Sequence, residues 1–270
     1  MSATDKLFTG SIPEIYDTYL VPLIFETYAA DLARRVADAS PTRILETAAG
    51  TGVVTRALAP LLEKGVRYIV SDLNQPMLDR AAGRQNADER IAWRQADALH
   101  LPFEPGSFDA VCCQFGVMFF PDRVAGYREA LRVLKPGGRF LFTVWDRIEN
   151  NDFARLVTEA ASGYFPSDPP RFLARTPHGY HDVAQIQADL GKAGFSVIEI
   201  VTLQHESRAP SARVPAIAYC QGTPLRNEIE TRAPQALEAV TSRAAQAIAR
   251  DFGEGSICGK IQAHMIVARA

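Results

Sequence analysis

Glu46, Gly50 and Gly52 stand together in the run Ile44-Leu45-Glu46-Thr47-Ala48-Ala49-Gly50-Thr51-Gly52-Val53-Val54, an apolar stretch that enters a glycine turn and opens directly into a helical pattern. Gly50 and Gly52 carry no Cβ, so a ligand can approach the backbone closely. A lone G-x-G also suits a phosphate cradle. Two phosphate patterns fail, however: no G-K-[ST] follows, and Thr55 stands where a dinucleotide motif has its third glycine. Glu46 separates what remains, because a carboxylate beside the turn repels a diphosphate and attracts a cation. Tyr16 and Tyr19 offer ring faces for a cation and hydroxyls for a substrate, and are equally read as core aromatics. His178 and His181 lie three apart, with His100 and His205 elsewhere. Two histidines alone do not make a metal site, and the ordinary reading of each is a structural or surface residue. Of these histidines, His181 is kept beside Tyr16 and Tyr19 as a candidate for chemistry.

These residues need a frame. Between residues 42 and 145 short apolar runs alternate with helical periods, the mark of a parallel α/β sheet. Strands are expected at Arg43 to Glu46, Arg67 to Asp72, Ile91 to Gln95, Asp109 to Gln114 and Arg139 to Trp145. Helices are expected from Val53 to Leu62, Pro76 to Gly83 and Asp122 to Leu134, the last stopped by Lys135-Pro136-Gly137-Gly138. Ahead of this core, residues 11–38 read as two helical pieces broken at Pro22. After it come a helix carrying Phe153, Leu156, Val157, Ala160 and Tyr164, a proline- and arginine-rich loop from Phe165 to Pro177, and a helix from Asp182 to Ala193 ended by Gly194. Phe195 to Leu203 reads as a strand, residues 210–253 as mainly helical, and Ile261 to Ala268 as a strand returning to the sheet.

With this order, the sequence resembles the class I S-adenosylmethionine-dependent methyltransferases. Their first motif runs acid-x-G-x-G-x-G; Glu46, Gly50 and Gly52 match it, and Ala48 replaces the first glycine. The cofactor of that family carries an ammonium and a sulfonium and no phosphate, as Glu46 requires. Val70-Ser71-Asp72-Leu73-Asn74, Asn74-Gln75-Pro76-Met77-Leu78, Gln95-Ala96-Asp97-Ala98, Phe108-Asp109-Ala110-Val111 with Gln114, and Leu131-Arg132-Val133-Leu134-Lys135-Pro136-Gly137-Gly138 agree in order and spacing over about 100 residues. The resemblance implies that S-adenosylmethionine is held by Glu46, Ala48, Gly50, Gly52, Asp72, Leu73, Met77, Asp97, Ala98 and Gln114. Asp72 would accept from both ribose hydroxyls and Asp97 from the adenine amino group, while the Ala98 backbone N–H would donate to the ring. Leu190-Gly191-Lys192-Ala193-Gly194-Phe195 looks like the small-molecule branch, similar to the ubiquinone- and menaquinone-biosynthesis-type enzymes. Tyr16-Asp17 and Tyr19 look like the aromatic arm that closes over the cofactor.

The fold implied is a doubly wound, seven-stranded, mostly parallel Rossmann-like sheet with an antiparallel last strand inserted between the fifth and sixth, and a helical cap. Residues 1–270 are then a single methyltransferase domain: an N-terminal helical arm or lid over 1–40, a cofactor-binding core over 41–146, and a helical connection over 147–194. Closing strands follow at 195–204 and 260–269, with a helical cap insertion at 205–259. The expected reaction is in-line methyl transfer to a small, partly apolar metabolite, leaving S-adenosylhomocysteine; it depends mainly on orientation, so no catalytic dyad need show. A non-catalytic sensor or partner module with the same cofactor residues stays open. A dehydrogenase conflicts with Glu46 and the missing third glycine.

With 29 basic and 31 acidic residues and a formal net charge of −2, the chain lacks the basic bias of a nucleic-acid enzyme. Asp168-Pro169-Pro170-Arg171 has the look of an amino-methylating D-P-P-Y motif but does not follow the fourth strand. Nucleic acid is thus a remote acceptor. No apolar run reaches membrane length, and Asp5 and Lys6 ahead of Leu7 and Phe8 do not read as a signal peptide, so a cytoplasmic, membrane-free protein is expected. Cys112, Cys113, Cys220 and Cys258 read as buried small hydrophobes, and no metal is expected. The acceptor, the methylated element, any general base and the choice between monomer and homodimer are not legible.

Overall fold

The computed structural model describes residues 11–270; the Asp5–Phe8 start lies outside the described residues. Seven strands form one sheet: β1 (Arg43–Glu46), β2 (Arg67–Asp72), β3 (Ile91–Gln95), β4 (Phe108–Gln114), β5 (Leu134–Trp145), β6 (Val197–Ala209) and β7 (Ile257–Arg269), in the order β3-β2-β1-β4-β5-β7-β6. β1 pairs in parallel with β2 and β4, β2 with β3, and β4 with β5, while the last strand runs antiparallel. The order reverses between β1 and β4, so the crevice at their carboxyl ends is the topological switch point where such sheets receive ligands.

The chain divides into two compact units. The sheet unit comprises Glu26–Val144, His181–Leu203 and Ala263–Ala270. Its central strands are apolar because both faces are covered: Ile44, Val70, Ala110, Cys112 and Leu141 are buried together with Ala29, Leu32, Ala33 and Val36 of the helix Glu26–Ala37 and with Val54 and Leu58. Asp109 at the start of β4 accepts from Thr42 N, Thr42 Oγ1, Arg43 N and Lys135 Nζ at 2.7–3.0 Å, binding the amino-terminal ends of β1 and β5 to β4. Those donors hold its carboxyl down at about 2 against the cost of its partial burial. The Phe108-Asp109 signature is therefore a joint of the sheet, at the end opposite to Glu46. Helix ends follow their capping chemistry: Asp122 accepts from Ala125 N, Asp182 from Ala184 N and Gln185 N, and Gly194 ends the helix Val183–Ala193 at φ +112°.

The helical unit comprises the described part of Met1–Phe25, Trp145–Tyr180 and Gln204–Gln262. Helices Asp152–Tyr164, Arg213–Gln221 and Leu237–Phe252 pack around Phe153, Leu156, Val157, Tyr219, Val240, Ala244 and Ile248. Phe153 meets Phe252 edge-on at 5.3 Å between ring centroids.

Several details differ from the sequence-based expectation, beginning with the closing strands: β6 runs on to Ala209 and β7 starts at Ile257, both inside the span 205–259 expected as helical cap. Pro22 does not break its helix: Tyr16–Phe25 is wound as a π-helix with Pro22 inside, and the wider winding gives the ring room that an α-helix denies it. A short helix, Phe172–Arg175, forms in the segment expected as loop, and Glu228 secures it by accepting from Arg171 N, Phe172 N and Arg175 Nη2. β5 starts at Leu134 rather than Arg139, because Leu134 pairs with Phe108 and Gly137 N and Gly138 O bond to Ala270. Cys258 is exposed, unlike the other three cysteines.

Candidate cofactor site

The ten residues from Glu46 to Gln114 that the resemblance assigns to the cofactor lie in the sheet unit, at or just past the carboxyl ends of β1, β2, β3 and β4. β1 ends on Glu46 and the chain then turns through Ala48, Gly50 and Gly52, at φ +51°, +57° and +77°. Gly50 and Gly52 adopt this left-handed region freely; Ala48 does so at a cost of about 1 kcal/mol. The Ala48 Cβ is also accommodated from across the turn. A Cβ on Gly116, after β4, would come within 2.5 Å of the Ala48 Cβ and 2.7 Å of Cys113 Sγ. Gly116 itself has φ −103°, which any residue can adopt, so space alone demands glycine there. Gly116→Ala is expected to cost about 1–3 kcal/mol by overpacking, and Ala48→Gly to stabilise the Gly116→Ala background by more than it stabilises the unaltered protein, read by urea denaturation of the single and double variants. Additive losses would show that the two positions do not share this space.

Asp72, at the end of β2 and 6 % exposed, reaches back to the turn. Its Oδ2 accepts from Gly50 N at 2.8 Å and its Oδ1 from Asn74 N at 2.7 Å. Burial pushes its carboxyl up, and the Asn74 and Gly50 amides pull it down. Asn74 Nδ2 adds a longer contact to Oδ1 at 3.4 Å, so the acceptor position beside the Gly50 amide on Oδ2 is the one that can take a ligand hydroxyl. Leu73 beside it is 44 % exposed, an unusual position for a leucine unless something flat covers it, while Met77 is buried. Asp97 and Ala98 follow β3 and are half-buried. Asp97 Oδ1 accepts from Leu99 N at 2.9 Å, which turns the chain and leaves its second oxygen as an acceptor. Gln114 closes β4 and is half-buried.

Glu46, read in the sequence as the carboxylate beside the turn, is enclosed by the fold. It is 1 % exposed, and its Oε2 accepts from Thr55 Oγ1 at 2.7 Å and from the Tyr68 hydroxyl. Burial pushes its carboxyl up to about 7, against the pull of Tyr68, Thr55 and Arg56 and with the push of Asp72. Tyr68 and Thr55 are functional candidates that motif reading missed. Neither belongs to a motif, although Tyr68 is the one large polar side chain in the apolar part of β2.

The remaining candidates lie apart from this cluster in the chain. Tyr16 and Tyr19 are half-buried on the π-helix, and the Tyr16 ring is 5.2 Å from Phe25. Phe25 is in turn 5.9 Å from Trp145, whose ring is 5.9 Å from His178. His181 is half-buried, whereas His178 is 5 % exposed with Nδ1 2.8 Å from the Asp146 carbonyl. A carbonyl only accepts, so Nδ1 carries a proton. The histidine whose ring is fixed in this way is thus His178. Cys220 is buried with its thiol pushed up to about 12, which removes it as a nucleophile. Asp168 of the Asp-Pro-Pro-Arg run pairs with Arg232 at 3.0 Å. Among the described residues, no cluster of three or more His, Cys, Asp or Glu could hold a metal ion, and no helix is long and apolar enough to cross a membrane.

The donor set fits a nucleoside with a cationic tail. Asp72 bonds the turn itself, so a diphosphate placed there would meet its carboxylate. Comparison with known proteins agrees. Residues 45–142 match the methyltransferase domain family. The chain is 32 % identical over 181 residues to the demethylmenaquinone methyltransferase of Clavibacter sepedonicus, covering 62 % of this chain and 70 % of that one. The YcgJ protein from Bacillus subtilis superposes with a TM-score of 0.58 at 20 % identity, covering 90 % of this chain and 98 % of that one. Phosphoethanolamine N-methyltransferase 2 of Haemonchus contortus, solved with S-adenosylhomocysteine, does so at 0.50 and 20 % identity over 84 % of this chain and 48 % of that one. The fold and the glycine turn define a class, the Rossmann-like methyltransferases. Within it, the chain belongs to the family of S-adenosylmethionine-dependent methyltransferases that includes the demethylmenaquinone enzymes. Its cofactor is S-adenosylmethionine.

Proposed function

We propose that S-adenosylmethionine lies in the crevice at the carboxyl ends of β1, β2 and β4, and that its methyl passes to a small, partly apolar acceptor. The observation that carries this reading is the convergence of Asp72 on the glycine turn, at the point where the sheet order reverses. Asp72 binds the ribose hydroxyls, Asp97 accepts from the adenine amino group, the Ala98 N–H donates to the ring, and Leu73 and Met77 supply apolar cover. Glu46, Ala48, Gly50, Gly52 and Gln114 bound the methionine end. The cofactor supplies an electrophilic methyl on a sulfonium. The residues of this chain bind it, orient it and exclude water, which is most of what a collinear displacement needs.

Tyr16, Tyr19 and His181 are the candidates for acceptor chemistry, and His178, whose Nδ1 proton is fixed by the Asp146 carbonyl, joins them. The relatives named for demethylmenaquinone suggest the first acceptor to try, a reduced 1,4-naphthoquinone with an unsubstituted ring position. Transfer of radiolabelled methyl to that ring at least tenfold above the acceptor-free background is the expected result. Transfer to a phenol, amine or thiol in the same panel instead would replace the ring carbon as the methylated atom. Transfer to none, with cofactor still bound, would overturn the small-acceptor reading in favour of a cofactor-binding sensor.

A further inference from the structure

Glu46 joins three elements through one side chain. Its Oε2 accepts from Tyr68 on β2 and from Thr55 on the helix Val53–Leu58, while its backbone carbonyl accepts from Ser71 Oγ at 2.8 Å. The two side-chain donors straddle the glycine turn in sequence, one on the helix after it and one on the neighbouring strand. Both hydroxyls point their protons at the carboxylate, an arrangement that favours its charged form. Resting on the reading that this turn receives S-adenosylmethionine, we propose that Tyr68 is a positioning residue: its hydroxyl, with that of Thr55, fixes the Glu46 carboxylate at the foot of the turn as the anion that a cationic cofactor favours.

The electrostatic setting supports this. The groups facing Glu46 are Tyr68 and Asp72 from β2, Thr55 and Arg56 from the helix after the turn, and Cys112 and Cys113 from β4. Burial pushes Tyr68 and Cys112 far up and Cys113 up to about 12, so all three are neutral here. Arg56 favours the carboxylate and Asp72 opposes it. Without the Tyr68 donor, burial is opposed only by Thr55 and Arg56, and Glu46 keeps its proton to higher pH. A neutral carboxyl offers a sulfonium or ammonium little, so cofactor affinity should follow the ionisation of Glu46.

The test is calorimetric titration with S-adenosylmethionine and S-adenosylhomocysteine between pH 5.5 and 8.5. Tyr68→Phe is compared with Tyr28→Phe, which also removes a buried hydroxyl, here one that donates to the Leu203 carbonyl. For the unaltered protein, affinity should rise with pH and level off above neutrality. Tyr68→Phe should weaken binding threefold to tenfold at pH 7 and move the rise to higher pH, while Tyr28→Phe leaves the pH dependence in place. Should Tyr68→Phe not fold, Thr55→Val removes the other donor and should move the rise the same way. Carboxyl carbon NMR of Glu46 in the unaltered protein gives a further readout: its titration midpoint should fall when S-adenosylhomocysteine binds. A pH dependence unmoved by Tyr68→Phe, an equal shift from Tyr28→Phe, or a Glu46 midpoint indifferent to the ligand would each overturn the positioning role and leave the site reading intact. Absence of binding by the unaltered protein at any pH would overturn both.

Discussion

Asp72→Ala should weaken S-adenosylmethionine binding at least tenfold, the largest loss expected from a single substitution at the site. Asp72 serves two sides at once. Towards the protein it accepts from Gly50 N and Asn74 N at 2.8 and 2.7 Å, which holds the glycine turn against the start of the helix Gln75–Arg84. Towards the ligand, on the proposed reading, it accepts from the ribose hydroxyls. Hydrogen bonds to a charged acceptor contribute about 1.5–3 kcal/mol each, so losing even one ligand bond accounts for a tenfold change, and a loosened turn adds to it. Asp72→Asn separates the two effects. It keeps one carbonyl-type oxygen and should fall between the unaltered protein and Asp72→Ala in affinity, while recovering much of the thermal stability that the alanine loses. Calorimetry gives the first comparison and a melting curve the second. Affinity unchanged by Asp72→Ala would remove β2 from the cofactor site.

Much of this arrangement is legible in the residues, and the limits are physical. β1, β2 and β3 fall on the expected residues because each is an apolar or β-branched run bounded by turn formers, a signal contained within the strand itself. The glycine turn is equally local, and so is the helix stop at Gly194, whose φ of +112° is the one glycine adopts at such ends. What escapes is whatever depends on a distant partner. The early start of β5 needs Phe108 and Ala270, and the short helix at Phe172 needs Glu228. The Glu46 side chain shows the same limit at the site. An acid before a glycine turn reads as ready for a cation, and nothing local shows what its carboxylate touches. Only the pairing of β1 with β2, which sets Ile44 beside Tyr68 with Glu46 two residues further on, reveals the tyrosine that receives it. His178 and His181 are indistinguishable in sequence; the Asp146 carbonyl, reached only in the folded chain, separates them.

The burial of Glu46 also has a consequence for stability that does not involve the acceptor. Its carboxyl titrates near 4.5 in an ordinary setting and at about 7 in the cofactor-free fold. Between these values the folded chain holds a proton that the unfolded chain has released, so stability falls as pH rises through the window. At about 1.4 kcal/mol per pH unit, the loss from Glu46 amounts to roughly 3 kcal/mol by neutrality. Asp72, also raised by burial, acts in the same direction from its lower ordinary value. Asp109 acts in the opposite direction but elsewhere: held at about 2 in the fold, it contributes stability that is present above 3.8 and is lost only as pH falls towards 2. The windows of Glu46 and Asp109 do not overlap. Glu46→Gln removes the titration while keeping an oxygen for Thr55 or Tyr68. In urea unfolding without cofactor, the advantage of the unaltered protein over Glu46→Gln should therefore shrink by roughly 3 kcal/mol between pH 4.5 and 7.5. Parallel pH profiles for the two proteins would mean that Glu46 ionises normally in the fold. A bound cation favours the carboxylate, so saturating S-adenosylmethionine should recover part of the loss in the unaltered protein but add no such pH-dependent gain in Glu46→Gln. The burial that makes Glu46 costly to ionise in the empty fold is thus what makes its charge respond to the cofactor.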